Sequence, residues 1–167
     1  MGREEYCGYC QSPLGLLEIK SNESGIISIR FIDEEFIQKE NNNQFIIQTI
    51  EELSEYFTNK RIKFTIPTCP EGTPFQKKVW NQLSEIPFGK VKSYKEIALE
   101  IGDIKSIRAV GGANGRNPIP IIIPCHRVIG SNGDLTGFSG GIDRKKWLLS
   151  HEGALSDNQL SLFEHGI

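Results

Sequence analysis

The sequence predicts a mixed α/β (α+β) fold in two parts, a small N-terminal sheet-plus-helix domain followed by a mainly helical domain. Two observations lead to this division. Strand-like alternation dominates residues 5–32, whereas apolar residues at helical spacing dominate after residue 73. Between these patterns, residues 67–72 hold two prolines and one glycine, which break regular structure and indicate a linker. The predicted domains are therefore 1–68 and 69–167.

The N-terminal part is predicted to contain a β-hairpin and one helix. The runs 14–20 and 25–31 are rich in Ile and Leu and flank a polar four-residue turn, as hairpin strands do. From Asn43 to Thr58 the apolar positions follow helical spacing. Residues 60–66 predict a further strand.

The second part is predicted to contain four helices, of which two are joined by a tight turn. Pro74 stands at a first helical position, and Ser93 and Gly102 are a typical N-cap and C-terminal stop. The predicted helices cover residues 74–86, 93–101, 105–113 and 143–151. The middle two, with glycine between them, form a helix-turn-helix candidate that precedes a buried cysteine.

The second helix of this candidate carries small residues where a core helix would carry large ones. Gly111 and Gly112 are adjacent, and each glycine costs about 1 kcal/mol against alanine in a helix. Small side chains allow a bulky partner to approach the backbone, and both a nucleic-acid groove and a neighbouring helix fit that description. Arg108 is positioned to reach a phosphate or to enter a base stack.

Charge is unevenly distributed along the 167 residues, although the net charge is only −2. Residues 1–72 carry seven Lys/Arg and twelve Asp/Glu, whereas residues 73–151 carry twelve basic and six acidic residues. Residues 152–167 add three acids and no Lys or Arg. A basic segment inside an acidic chain indicates a polyanionic partner, although an ordinary solvated surface also fits.

Composition favours a cytoplasmic protein without a membrane segment. The chain is 38% hydrophobic and 24% charged, and it has neither an apolar run of spanning length nor a secretory signal in residues 1–9. Its four cysteines are too scattered for a disulfide scaffold, which indicates a reducing compartment. Cys7 and Cys10 have metal-like spacing, but no second ligand pair follows, so no metal site is predicted.

The run Pro124–Val128 predicts a reactive thiol. His126 and Arg127 follow Cys125 directly, and cationic neighbours lower a thiol pKa from its usual value of about 8.5. A buried structural cysteine is the alternative. Glu152, at the end of the last predicted helix, is placed either to orient His126 or to serve as a capping or surface acid.

These residues resemble the O6-alkylguanine-DNA alkyltransferases. The resemblance extends over about residues 73–153, and a looser N-terminal similarity involves Ser12–Gly15 and the order of hairpin and helix. The matching motifs are residues 111–118, 123–130, 137–141 and 148–153.

The resemblance implies a DNA repair protein that acts once. It would transfer the alkyl group of O6-alkylguanine in double-stranded DNA irreversibly to its own Cys125, with O4-alkylthymine as a further candidate substrate. The protein would bind the minor groove as a monomer through its helix-turn-helix and rotate the damaged nucleotide out of the duplex. It would need no cofactor, and it would work in the cytoplasm, at the nucleoid, or in the nucleus of a eukaryote.

The resemblance also assigns catalytic roles. Cys125 would accept the alkyl group, and His126 would act as its base through a water. Glu152 would hold His126, and Asn117 would be the hinge between the recognition helix and the active-site loop. Tyr94 would rotate the nucleotide and supply a proton to guanine.

The remaining assignments concern DNA and the flipped base. Arg108 would fill the vacated stack. The other implied DNA contacts are Ser93, Tyr94, Ala109, Gly112, Ala113 and Asn114. The implied base pocket consists of Pro120, the Val128 carbonyl, Phe138 and the Ser139 backbone.

The chain departs from the family pattern at three places. Phe138 replaces a frequent tyrosine, Thr136 replaces a glycine found in some members and would narrow the entrance, and Cys7 and Cys10 do not align with the zinc ligands of metal-bearing members. Two other functions compete with alkyl transfer. A lesion sensor would bind modified guanine without changing it, which the presence of Cys125 disfavours, and a cysteine hydrolase would turn over repeatedly with the help of an oxyanion hole.

Overall fold

The computed structural model describes residues 4–156, which form two compact units. The first unit contains the chain up to Lys77 together with residues 117–123, and the second contains residues 78–116 and the chain from Pro124 onward. The segment 117–123 thus belongs to the first unit, although it lies far along the sequence. The predicted division of functions between domains 1–68 and 69–167 stays a prediction.

The first unit is built on a three-stranded antiparallel sheet in the order β1-β2-β3, with one helix. The two predicted hairpin strands are present, and a third strand precedes them. The elements are β1 (Tyr6–Ser12), β2 (Gly15–Ser21), β3 (Ile26–Ile32) and α1 (Gln44–Phe57).

Helix α1 packs closely against strand β1 at Gly8. A Cβ atom at Gly8 would lie 2.5 Å from Ile46 Cγ2, so only glycine allows this approach. Asn43 begins the helix, since its Oδ1 accepts hydrogen bonds from the backbone N–H groups of Phe45 and Ile46. The core of this unit consists of apolar side chains from β2, β3 and α1, including Leu17, Ile19, Ile26, Ile29, Ile46, Leu53 and Tyr56.

The strand predicted over residues 60–66 is wrong. The backbone N–H groups of Thr65 and Ile66 donate to the buried carboxylate of Glu52, at 2.9 and 3.3 Å, and not to a neighbouring strand. Only Thr68, beyond this segment, forms a single bridge with Ile26. A side chain of α1 therefore satisfies the donors that a strand would have used.

The segment 117–123 adds to the same unit through a backbone hydrogen bond from Ile29 N to Pro118 O of 2.9 Å. Its side chains Ile119 and Ile121 are fully buried. Ile121 has a φ of 75°, which is unusual for a β-branched residue and marks local strain just before Cys125 in the chain.

The second unit is mainly helical, and the four predicted helices are all present. Helix α4 is preceded by a 3-10 turn at Ile104–Ser106, so the helix begins two residues later than predicted. The elements are α2 (Pro74–Ser84), which begins at the unit boundary, β4 (Lys92–Ser93), α3 (Tyr94–Glu100), α4 (Ile107–Gly115), β5 (Val128–Ile129) and α5 (Ile142–His151). The predicted fold class is confirmed. Within residues 4–156, no helix has the length and apolarity needed to cross a bilayer.

Candidate active site and DNA-binding surface

The motif that follows Pro124 forms a buried 3-10 turn over Cys125–Arg127, and the turn leads directly into β5. Strand β5 pairs with β4 in parallel, with Val128 opposite Lys92 and Ile129 opposite Ser93. Because α3 begins immediately after β4, this pairing places the start of α3 beside the residues that follow Cys125. Two short strands thus bring together residues that are more than thirty positions apart.

The two residues that follow Cys125 form a buried network with Glu152. His126 Nε2 lies 2.7 Å from Glu152 Oε1, and Arg127 donates to both carboxylate oxygens of Glu152 at 2.9 Å. Arg127 also donates to Ile86 O, and Gly89 N donates to Glu152. Glu152 is therefore a buried partner of His126 and not a surface acid.

Electrostatics fix the charges in this network. Burial raises the pKa of Glu152, but hydrogen bonds and charge from His126 and Arg127 outweigh it and hold that pKa far below its usual range. Burial lowers the pKa of His126, and the nearby cations Arg127 and Lys145 lower it further, against an opposing contribution from Glu152. Glu152 is thus ionised and His126 is neutral at physiological pH.

A neutral His126 has one tautomer that suits this network. Since the ionised carboxylate can only accept, Nε2 carries the proton and Nδ1 carries a lone pair. Nδ1 is buried and has no hydrogen-bond partner among the described residues. His126 can therefore take up a proton at Nδ1, next in sequence to Cys125.

Tyr94 lies over the loop that follows β5. Its hydroxyl donates to Thr136 O at 2.6 Å, and a Cβ atom at Gly137 would lie only 2.7 Å from that hydroxyl. Burial raises the pKa of Tyr94, and the Cys125 thiolate raises it further, whereas the Thr136 hydrogen bond lowers it. With a raised pKa, Tyr94 stays protonated at neutral pH and remains a proton donor.

The side-chain amides of Asn117, the predicted hinge, and Asn114, a predicted DNA contact, bind backbone groups on two different segments. Asn117 donates to Ile123 O at 2.7 Å and accepts from Ile119 N, so its amide closes the segment 117–123. Asn114 is buried, and its Nδ2 donates to Cys125 O at 3.3 Å. A link from α4 to the active-site turn is thus made by Asn114.

Lys145 is a residue that the sequence analysis did not single out. It is fully buried on α5, and its ammonium donates to Val128 O at 2.5 Å and to Thr136 O at 2.7 Å. The available signal was its position, since Lys145 precedes the buried Leu148 and Leu149 by three and four residues and so shares the apolar face of the helix.

The predicted base-pocket residues lie in both units. Val128 and Phe138 are buried in the second unit, where Ser139 is exposed, and Pro120 is buried in the segment 117–123 of the first unit. The Val128 carbonyl, predicted to bind the base, accepts a hydrogen bond from Lys145 in this structure.

The helix-turn-helix presents an exposed, partly basic surface. Arg108, Ala109 and Gly112 are exposed on α4, whereas Ala113 is buried and its carbonyl accepts from Trp80 Nε1. Ser93 begins α3 through a capping box with Glu96, so its hydroxyl already accepts a hydrogen bond from Glu96 N. Further exposed cations on this surface are Lys95, Lys105 and Arg116.

Comparisons with known proteins agree with this geometry. Residues 74–154 match the DNA-binding domain of 6-O-methylguanine DNA methyltransferase, and residues 5–70 match its ribonuclease-like domain. A methylated-DNA–protein-cysteine methyltransferase of Methanosarcina acetivorans is 42% identical over 157 residues, which cover 89% of this chain and 99% of the relative.

Solved structures give the same result. The O6-methylguanine methyltransferase of Mycobacterium tuberculosis is 37% identical with a TM-score of 0.80, covering 96% of this chain and 99% of that one. OGT of the same organism, solved in complex with DNA, is 39% identical with a TM-score of 0.79, covering 93% and 97%.

A helix-turn-helix joined to a buried thiol and a neutral imidazole defines a DNA-binding protein with a nucleophilic cysteine. The chain belongs to the 6-O-methylguanine DNA methyltransferase family. The predicted family and function are confirmed at this level: the protein is a DNA repair methyltransferase that transfers an alkyl group from DNA to a cysteine of its own.

Proposed function

We propose that this protein removes the alkyl group from O6-alkylguanine in duplex DNA and carries it irreversibly on Cys125. The observation that carries this assignment is the pairing of a buried thiol with the adjacent His126, whose Nδ1 is free to accept a proton among the described residues. Of the four cysteines, only Cys125 has an imidazole next to it in the chain.

The chemistry follows from these groups. The Cys125 proton passes to His126 Nδ1 through a water, and the thiolate attacks the alkyl carbon. The new S–C bond forms as the C–O6 bond breaks, and its electron pair leaves on guanine. Tyr94 supplies a proton toward guanine and is reprotonated by the proton held on His126, so that in the net balance the thiol proton ends on the base. The product thioether has no easy leaving group, so each chain reacts once.

The other residues position these reacting groups. Glu152 holds the His126 tautomer through the 2.7 Å contact at Nε2. Asn117 is proposed as the hinge, because its amide sets the conformation of the segment that leads into Pro124 and Cys125. Val128, Phe138 and the Ser139 backbone, all in the second unit, are proposed to enclose the flipped base, and the role of Pro120 in the base pocket stays a prediction.

We further propose that one copy of the protein binds the minor groove through α3 and α4. Arg108 fills the vacated stack, while Ser93, Tyr94, Ala109 and Gly112 lie against the duplex. Ala113 and Asn114 support this surface from inside the unit, since both are buried. We propose that residues 69–167 bind DNA and carry out the transfer, and that residues 1–68 have a structural role. The protein is proposed to work in the cytoplasm, or in the nucleus if its source is eukaryotic.

Stoichiometry tests the proposed reaction. Mixed with excess duplex carrying one O6-methylguanine, the protein is expected to remove one methyl group per chain and then stop. Continued removal would support a hydrolase, and binding without removal would support a lesion sensor. The same assay on a duplex carrying O4-methylthymine shows whether that lesion is also a substrate.

Replacing Arg108 with alanine is expected to lower the affinity for DNA. The affinity should also vary less steeply with salt concentration. Arg108 is exposed on α4, and the loss of one cationic side chain from the DNA interface lowers the slope of log affinity against log salt by about one. Affinity is measured by fluorescence anisotropy over a salt series. Lys60→Ala, which removes an exposed charge from the first unit, serves as the control. An unchanged slope in Arg108→Ala would contradict the proposed contact.

A further inference from the structure

Two buried side-chain atoms beside the proposed nucleophile have no hydrogen-bond partner among residues 4–156. They are Nδ1 of His126 and Oδ1 of Asn114. His126 follows Cys125 in the chain, and Asn114 lies against Cys125, because its Nδ2 donates to Cys125 O at 3.3 Å. Buried polar atoms are almost always hydrogen-bonded in folded proteins, since losing water without a replacement is costly. Both atoms therefore require a donor.

The orientation of the Asn114 amide follows from its surroundings. Nδ2 faces two backbone carbonyl oxygens, Cys125 O at 3.3 Å and Gly137 O at 3.5 Å, and it has two hydrogens to donate. Turning the amide over would place Oδ1 against both of these acceptors. Oδ1 is therefore the atom on the opposite side of the amide, and an amide oxygen can only accept.

Nδ1 of His126 is also an acceptor, because the proton of this ring lies on Nε2, which contacts Glu152 Oε1 at 2.7 Å. Nδ1 has no hydrogen-bond partner in the described part of the chain, so the Cys125 thiol does not donate to it directly. Two acceptors cannot bind each other. A single water has two hydrogens and can donate to both atoms, as buried waters do between otherwise unpaired polar groups.

We propose that Asn114 is a positioning residue of the transfer site, whose Oδ1 holds the water through which Cys125 passes its proton to His126. This role rests on the proposed function, in which the thiol proton travels through a water. The water donates one hydrogen to His126 Nδ1 and the other to Asn114 Oδ1, and its oxygen accepts from the thiol.

The transfer is balanced in this arrangement. As the thiol proton moves to the water oxygen, the hydrogen that faces Nδ1 moves to His126. The water is regenerated, the sulfur becomes a thiolate, and the imidazole becomes an imidazolium. Asn114 neither gains nor loses a proton, because it only fixes the second hydrogen of the water. Since Asn114 lies on α4, one residue joins the proposed DNA-binding helix to the proton relay.

A crystal structure of the DNA-free wild type, at a resolution that shows ordered waters, tests the arrangement directly. We expect one water within about 3.2 Å of both Asn114 Oδ1 and His126 Nδ1. Asn114→Leu, which removes the acceptor, should lose that water. A wild-type structure without a water at this position, or with one that contacts His126 but not Asn114, would overturn the proposal. If Asn114→Leu does not fold, the wild-type structure alone decides.

Single-turnover rates against pH separate a role in proton transfer from a purely structural one. At pH 7, Asn114→Leu is expected to transfer the methyl group at least about tenfold more slowly than the wild type, because the water is no longer held in line. The difference should shrink as the pH rises past about 8.5, the usual pKa of a thiol, since hydroxide then removes the thiol proton without the relay. A rate ratio that stays constant with pH would also overturn the proposal.

Gln82→Leu is the matched control. It removes an amide of the same unit, on α2, which donates to Glu100 at 2.8 Å on the surface. Its rate should equal that of the wild type at every pH. All three proteins share the other charged and titratable groups of the site, so the ratio of rates isolates Asn114; these groups are Tyr94, Arg127, Lys145 and Glu152.

The crystal structure needs no DNA, so these outcomes are separable from a failure of the proposed function. If a water joins Asn114 to His126 but the wild type removes no methyl group from O6-methylguanine, the water site stands and the substrate assignment fails. If methyl transfer proceeds but no water lies between the two side chains, the reaction stands and the role of Asn114 fails.

Discussion

Replacing Cys125 with alanine is expected to abolish methyl uptake while DNA binding persists. The change removes the sulfur that would form the new bond, and alanine fits the space of a buried cysteine with little effect on packing. The exposed cations of α3 and α4 are untouched, so affinity for the duplex should stay within about twofold. Intact mass measures methyl uptake, and fluorescence anisotropy measures binding.

Cys69→Ala is the matched control for this experiment. Cys69 is half-buried in the first unit, and its substitution should leave one methyl group transferred per chain. Methyl uptake by Cys125→Ala would contradict the nucleophile assignment. Loss of both uptake and binding in that variant would mean that Cys125 supports the fold of the DNA-binding surface.

The second large effect is expected from Glu152→Gln. Glutamine keeps the size of the side chain and can still accept a hydrogen bond from His126, but it leaves the buried Arg127 guanidinium without its counter-charge. Breaking a buried ion pair in this way costs about 3–5 kcal/mol of unfolding free energy. Transfer should also slow, because the substitution removes the Glu152 charge that raises the pKa of His126, while the charge of Arg127 that lowers it remains. Urea unfolding and single-turnover rates measure the two effects.

The difference in unfolding free energy between the wild type and Glu152→Gln should shrink as the pH falls. The pKa of Glu152 lies lower in the folded protein than in the unfolded chain, so its contribution is complete above the unfolded value of about 4.3 and is lost as pH falls. The wild type should therefore lose its advantage over Glu152→Gln progressively below about pH 4. Glu85→Gln, at an exposed position after α2, is the control. Equal stability of Glu152→Gln and the wild type at pH 7 would show that the buried pair contributes nothing.

Sequence patterns predicted the elements that depend on local signals. Ser93, predicted as an N-cap, forms a capping box with Glu96. This capping box fixes the start of α3, the first helix of the helix-turn-helix. Strand β1 was not predicted as a separate strand, because Tyr6–Ser12 contains no β-branched residue and its position depends on pairing with β2. The strand predicted over 60–66 failed because a carboxylate of α1 took its backbone donors.

The candidate site was predictable where chemistry is encoded in neighbouring residues, as in Cys125 and His126. It was less predictable where polar groups are buried by tertiary packing. Asn114 and Lys145 become part of the site only because α4 and α5 turn these side chains inward, onto Cys125 O and Val128 O. The sequence indicated these two residues only weakly. Asn114 is an amide in a helix of small residues, and Lys145 is a lysine on the apolar face of a helix.

The location of the transferred methyl group tests the central claim most directly. The wild-type protein is mixed with excess duplex carrying one O6-methylguanine, digested, and mapped by mass spectrometry. We expect one methyl group per chain, on the peptide containing Cys125 and nowhere else. A methyl group on Cys7, Cys10 or Cys69, or no methyl group despite tight binding, would contradict transfer to Cys125.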